Sequence, residues 1–301
     1  MAELKLLEDQ AFNALLARER AYEREVQAAL KEALDKMRAS MSVIYEKYAA
    51  DGVLTLAEMT RYNRLVTLER QLVAILNPAL AANLRTIERL RPAQYDAAFF
   101  RYAWAVDNAS GLRLAWGVLN PAVILENLAS QFYKISMRRY GADARLRIRA
   151  ALNEGLAQGK GFQDMARGLK KAMDMTYANA LRIIRTEGQT AIQAGADDAY
   201  AWAQRRGIEM DVIWDATLDG KTRPDHGAAD GQARGNDGMF DVGGEKAPYP
   251  AWQGLTAGQR INCRCRVRAQ IKGYEPNLRR TREQGIIPYQ TYTEWSKRLR
   301  K

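Results

Sequence analysis

Apolar residues recur every three or four positions through the first fifty residues. Leu4, Leu7, Phe12, Leu15, Leu16, Tyr22, Val26, Leu30, Leu34, Met37, Met41, Ile44 and Tyr48 form this stripe, and Arg18, Arg20, Glu23 and Arg24 fill the face between. This period predicts a long amphipathic helix, or two in near continuity, over 3–49. Acids interrupt its basic face, which favours packing in a bundle over lying on a membrane surface. Asp51-Gly52 breaks the stripe. Thr55-Leu56-Ala57-Glu58 then has the form of a capping box, so a helix is expected from there to about Asn77-Pro78. Further helices are expected over 79–90, from Pro92 to about Val106, and from Pro121, because proline suits a first helical turn. Tyr133, Lys134, Met137, Arg138, Arg139 and Tyr140 set basic and aromatic groups side by side, the pattern of a solvated rim with long stems laid along it.

Three more helices are expected over 143–157, 161–172 and 176–206. Thr176 can cap the third and Gly207 can end it. The pattern then changes. Met210 to Trp214 reads as a short strand, and residues 215–258 are rich in Gly, Asp and Pro, which predicts an extended loop. A loop of that length in a compact domain is functional or braced from outside. From Ile261 to Ile271 the alternation is strict. Ile261, Cys263, Cys265, Val267, Ala269 and Ile271 take one side; Asn262, Arg264, Arg266, Arg268 and Gln270 take the other. This predicts a strand with one buried face and one cationic face. A short helix with Tyr292, Trp295 and Leu299 is expected near the end. The fold class is mainly α, with long N-terminal helices and a small α+β C-terminal domain whose short β-sheet involves 210–214 and 261–271. The expected division is a helical, partner-binding region over 1–140, a compact domain over 141–275 and a basic tail over 276–301.

The chain has 301 residues and no run of 18 apolar residues, so no membrane partner is expected. The start is acidic and periodic, unlike a signal peptide. Two cysteines one residue apart cannot build a disulfide framework, which suggests a reducing compartment. Net charge is +11. Its distribution is uneven: residues 256–301 hold twelve Lys/Arg against three Glu, and residues 209–255 hold four Lys/Arg against nine Asp/Glu. A basic end suggests contact with nucleic acid or an acidic protein surface. On this reading Arg264, Arg266, Arg268, Lys272, Arg279 and Arg280 are the candidate contacts.

The only histidine and both cysteines fall in one stretch, between Asp219 and Cys265. His226, Cys263 and Cys265 supply three soft ligands, and Asp219 or Asp225 can supply a fourth for a structural zinc. The spacing is not that of a zinc ribbon or finger. Side chains at i and i+2 on a regular strand stand roughly 6.5 Å apart, whereas two thiolates on one zinc lie about 3.8 Å apart. Zinc therefore requires a bend near Arg264. The alternative is that both cysteines are small core hydrophobes and His226 bonds to an aspartate. A Cys–His nucleophile pair requires an exposed thiol, and the alternation buries both. No nucleotide-binding or hydrolase motif is present.

Arg185-Thr186-Glu187 on a helix, Trp214-Asp215-Ala216 on a strand, Asp219, Arg223, His226, Asp230-Gly231 and then Asn262-Cys263-Arg264-Cys265-Arg266 occur in this order. Over about 140–272 this array resembles the phage Mu F-like minor head proteins, whose shared unit is the phage head morphogenesis domain. The chain departs from one common form of the motif: Gln259, Arg260 and Ile261 stand where many relatives have a histidine before Asn-Cys-Arg-Cys. Pro248-Tyr249-Pro250 replaces adjacent prolines. The resemblance implies a structural, non-enzymatic capsid component that associates with the portal and other head proteins. It also implies a place inside the head near the portal vertex, assembly in the host cytoplasm, and influence on DNA packaging or ejection. Packaged double-stranded DNA is the expected non-specific partner, through phosphate contacts. The rival readings are a metal-dependent hydrolase or nuclease using Asp219, His226, Cys263 and Cys265, and a host-type DNA-binding or scaffold protein.

Overall fold

The computed structural model of the chain describes residues 4–112, 114–117, 119, 121–272, 278–281 and 285–288. The chain is mainly helical. In order the elements are α1 (Leu4–Tyr48), α2 (Leu56–Thr60), α3 (Arg64–Ser110), α4 (Pro121–Asn127), α5 (Phe132–Ala157), α6 (Phe162–Gln204), β1 (Met210–Asp215) and α7 (Pro224–Ala228). Then follow β2 (Phe240–Val242), β3 (Glu245–Ala247), α8 (Ala257–Arg260), β4 (Arg266–Ile271), β5 (Leu278–Thr281) and β6 (Gly285–Pro288).

The helices are longer and fewer than local signals predict. α1 is one helix, as its unbroken stripe allows. Thr55 does cap α2, accepting the Glu58 N–H at 3.1 Å. That helix stops after five residues at a turn where Tyr62 has φ 54°. α3 then runs straight through Pro78 and Pro92. Each interior proline costs about 3 kcal/mol, but Leu68, Leu72, Leu76, Leu90 and Tyr95 are fully buried along the same helix. At about 1.5–3 kcal/mol for each large buried side chain, packing outweighs the two breaks. α6 likewise passes through Thr176, whose hydroxyl donates to Ala172 C=O at 2.9 Å instead of capping a new helix. α6 ends where expected, with Gly207 at φ 88°.

By packing, the chain divides into two interleaved units instead of successive blocks cut at 140 and 275. One comprises residues 21–88 and 131–184; the other comprises 1–20, 89–130 and 185–301. The first is a helical bundle whose core includes Val26, Met37, Met41, Leu72, Leu76, Ile148, Leu152 and Leu169. One stretch within 56–110 has the length and hydropathy of a membrane span, and 22% of it is buried; Leu68, Leu72 and Leu76 of α3 are buried.

The second unit carries the candidate site. Alanines of α6 (Ala191, Ala194, Ala199, Ala203) pack with Tyr95, Phe99 and Tyr102 of α3. The two backbones come so close that a Cβ on Gly195 would lie 2.3 Å from Tyr95 C=O. β1 and β4 pair antiparallel, with Trp214 opposite Val267 and Asp215 opposite Arg266. The expected loop 215–258 has structure of its own. α7 opens on Pro224, and β2 and β3 form a hairpin turned by Gly243 and Gly244 at φ 61° and 84°, the left-handed pair a two-residue hairpin needs. β5 and β6 pair within the expected basic tail. The helix expected around Tyr292, Trp295 and Leu299 lies outside the described residues.

Candidate metal centre

β4 begins only at Arg266. The expected strand over 261–265 is a turn, with Asn262 at φ 54°. The bend that a shared metal demands is therefore present. It turns Cys263 and Cys265 toward the same point, and both are buried, as the alternation had indicated.

α6 holds this turn with a stripe of polar side chains. Thr186 Oγ1 accepts the Asn262 N–H at 3.2 Å, Gln189 donates to Cys265 C=O at 2.5 Å, and Gln193 accepts the Val267 N–H at 2.7 Å. Buried backbone groups need such partners. Glu187 supplies the charge: it takes Arg260 at 2.6 Å and Arg91 at 3.0 Å, all three buried. The loop before α7 closes over the other side. Arg223 donates to Ile261 C=O, and Thr217 donates to Arg264 C=O at 3.0 Å. Asp230 accepts the Ala216 N–H at 2.7 Å, and Gly231 donates to Trp214 C=O at 2.8 Å.

This packing places His226, from α7, against both cysteines. His226 Nδ1 lies 3.3 Å from Cys265 Sγ and 3.6 Å from Cys263 Sγ. The candidate ligand atoms all lie within 4.8 Å of one another. On the far side, His226 Nε2 lies 3.0 Å from Gln259 Oε1, and Gln259 Nε2 donates to Asp225 Oδ2 at 2.7 Å. Since Gln259 uses its amide nitrogen on Asp225, its oxygen accepts from Nε2–H. That assignment leaves Nδ1 with a lone pair facing the two sulfurs. Gln259 was not a sequence candidate. It drew notice only as one of the three residues standing where many relatives have a histidine. Burial, a hydrogen bond from Cys265 and the neighbouring His226 ring shape the thiols: Cys263 is held well below the ordinary thiol range, chiefly by the Cys265 bond, and burial pushes Cys265 well above it.

Asp219 does not join this cluster. Its carboxylate takes a two-pronged bond from Arg264, one prong at 2.7 Å, and that guanidinium holds it below the usual carboxylate range. The expected fourth ligand is thus a loop brace.

The expected cationic face of β4 is corrected as well. Arg266 bonds Asp215 at 2.7 Å and also Asp9 of α1. Arg268 is 3% exposed and lies 3.9 Å from Asp215. Lys5 stands 3.7 Å from Asp9 and 3.8 Å from Asp215. Arg264 pairs with Asp219, Arg260 with Glu187 and Lys272 with Glu209. Every basic side chain from Arg260 to Lys272 therefore faces a carboxylate, and two of the expected DNA contacts, Arg266 and Arg268, face acids of α1, Asp9 and Glu8. Arg279 and Arg280 lie on β5. Glu8 sits in the same buried cluster, accepting the Ala269 N–H at 2.9 Å and the Tyr200 hydroxyl. Burial raises its pKa to about 7, against the pull of those bonds and of Arg266 and Arg268.

Residues 146–268 match the family described as Phage Mu protein F like protein. The likeness to this family lies in that segment of the chain. It is 27% identical over 277 residues to "Minor head protein GP7" of Bacillus phage SPP1, with 88% of each chain covered. It is 26% identical over 247 residues to "NAD(+)--arginine ADP-ribosyltransferase EFV" of Enterococcus faecalis (strain ATCC 700802 / V583), covering 80% of this chain and 50% of that one. No solved structure matches it. Within the phage Mu F-like segment, Thr186, Glu187, Asp215, Asp219, Arg223, Asp230, Gly231 and Arg264 all brace the turn or the loop facing it. Of the array, only His226, Cys263 and Cys265 leave electron pairs gathered at one point.

Glu187→Gln should cost about 3–5 kcal/mol of stability, since it leaves two buried guanidiniums facing an uncharged amide. Urea unfolding measures this; a loss below about 1 kcal/mol would show that the pair does not hold the turn. Glu8→Gln tests the buried cluster by pH. The folded chain holds the Glu8 proton more tightly than the unfolded chain, so ionisation destabilises the fold progressively from about pH 4.5 to about pH 7 and by a constant amount above. The amide should be the more stable form at about pH 8, by at most ~3 kcal/mol, with the difference vanishing near pH 4.5. A difference that does not change with pH would refute it.

Proposed function

We propose that the chain is a structural minor head protein of a phage or prophage, acting in head morphogenesis. The observation that carries this is the end-to-end match with a minor head protein, 88% of both chains, rather than a match confined to one module. On this reading it docks at the portal inside the head, works beside other head proteins in DNA packaging or ejection, and assembles in the host cytoplasm. The helical unit, with exposed apolar side chains such as Val43, Tyr62, Phe132 and Ile135, is suited to protein partners. DNA binding falls to the basic residues after β4, Arg279 and Arg280 among them, because the arginines of β4 are neutralised inside the fold.

A hydrolase built on Asp219, His226 and the cysteines is disfavoured by burial. His226, Cys263 and Cys265 are each no more than 3% exposed, which closes them to a substrate, and Asp219 is engaged by Arg264. The chain spans half the length of the protein named as an ADP-ribosyltransferase, and we do not carry that activity over.

Co-expression with the portal protein of the same phage should give a complex that survives size-exclusion chromatography. Two separate peaks would remove the portal from this reading. Filter binding should show sequence-independent DNA affinity that falls steeply with salt. Arg279→Gln with Arg280→Gln should lower the salt slope by roughly one for each phosphate that is no longer neutralised. Affinity indifferent to salt, or weakened instead by Arg266→Gln alone in a folded chain, would overturn the assignment of DNA binding to the tail.

A further inference from the structure

We propose that His226 Nδ1 and the thiolates of Cys263 and Cys265 bind one zinc ion, which clips α7 to the turn before β4. This goes beyond the assembly role and does not depend on it.

Three observations carry it. First, the spacing fits. Zinc bonds of about 2.3 Å to sulfur and about 2.0 Å to nitrogen, at a tetrahedral angle, put sulfur and nitrogen about 3.5 Å apart; the two values here are 3.3 and 3.6 Å. A single hydrogen bond explains one such approach. It does not explain two sulfurs ranged about the same nitrogen lone pair. Second, the histidine is pre-oriented as metal-bound histidines are. Its outer nitrogen is held by Gln259, which is held by Asp225, and a ligating imidazole characteristically donates its other N–H to such a partner. The hairpin turn at Gly243 crowds this relay, since a Cβ there would fall 2.5 Å from Asp225 Oδ2. Third, the charge closes. Two thiolates and one divalent zinc sum to zero, which suits a site whose three ligands are each no more than 3% exposed.

The donor set selects the metal. Thiolate and imidazole suit zinc and exclude the hard cations magnesium and calcium, which take oxygen. Among the described residues no fourth His, Cys, Asp or Glu joins the cluster. The fourth position falls to a water or another small ligand. Because Cys263 and Cys265 reach His226 across more than thirty residues of chain, the ion closes a long loop, and its binding energy adds to folding.

The test uses the untagged full chain purified from zinc-supplemented cells. Elemental analysis should find about one zinc per chain. Cobalt exchanged into the site should give thiolate-to-cobalt charge-transfer absorption together with the intense visible bands of four-coordinate cobalt. Asp219→Asn should keep the full stoichiometry, which separates this ligand set from one that includes Asp219. Gln259→Ala, whose fold is checked by circular dichroism, should weaken zinc binding by about 10- to 100-fold in competition with a chromophoric chelator. Should Cys263→Ser or Cys265→Ser fail to fold, the cobalt spectrum of the parent decides alone. Zinc-free parent protein with no cobalt–thiolate absorption, or zinc that persists undiminished in folded His226→Ala, would overturn the proposal.

Discussion

A turn of five residues, Ile261 to Cys265, lies against α6, and the small domain is organised around that packing. Where this turn is covered, at Cys263 and Cys265, its backbone groups leave water, and each unpaired group costs about 1–3 kcal/mol. α6 answers with side chains spaced along one face: Thr186, Gln189 and Gln193 each take one backbone group. Glu187 adds a carboxylate that Arg91 and Arg260 share. The position of the turn then sets where β4 starts, where the cysteines point and which loop can close over them.

What could be read in the sequence, and what could not, follows from the range of each signal. The stripe of α1, the cap at Thr55, the stop at Gly207 and the strand at 210–214 are local, and each stands where the pattern puts it. The breaks expected at Pro78, Pro92 and Thr176 are local signals as well, but burial contributed by residues far along the chain overrides them. The strict alternation over 261–271 correctly put Cys263 and Cys265 on a buried side. It gave the wrong conformation, because a turn with Asn262 in the left-handed region sends alternate side chains the same way as a strand does. It also mistook polar for solvent-exposed. Arg266 and Arg268 face away from the β4 core, but α1 lies over them with Asp9 and Glu8, and no pattern within eleven residues can report a cover that comes from the other end of the chain. The departure from the motif at Gln259 was visible, but its role was not, for the same reason: it is defined by His226, thirty-three residues away.

Charge tells the same story at larger scale. An acidic segment followed by a basic one looks like a binding surface when counted by position. In the folded chain three acids of the first segment pair with three bases of the second: Asp215 with Arg266 across the β1–β4 pair, Asp219 with Arg264, Glu209 with Lys272. Over 264–272 the asymmetry in sequence reflects complementary pairing with β1 and the residues flanking it. That is why the family array is so ordered along the chain: its members are the two sides of one set of braces.

Buried ion pairs are weak evidence for stability, because removing two charges from water costs about as much as their attraction returns. An apolar β4 of equal volume would bury just as well. The arginines do something an apolar strand cannot. Shifting β4 by one residue would carry Arg266 and Arg268 to the apolar side and leave Asp215 and Asp9 to share Lys5. The ionic cluster therefore fixes register, and with it the spacing between β4 and the turn. Two thiols can converge on one imidazole nitrogen only if that spacing is held, so the price of buried charge is met by the precision it gives to His226, Cys263 and Cys265.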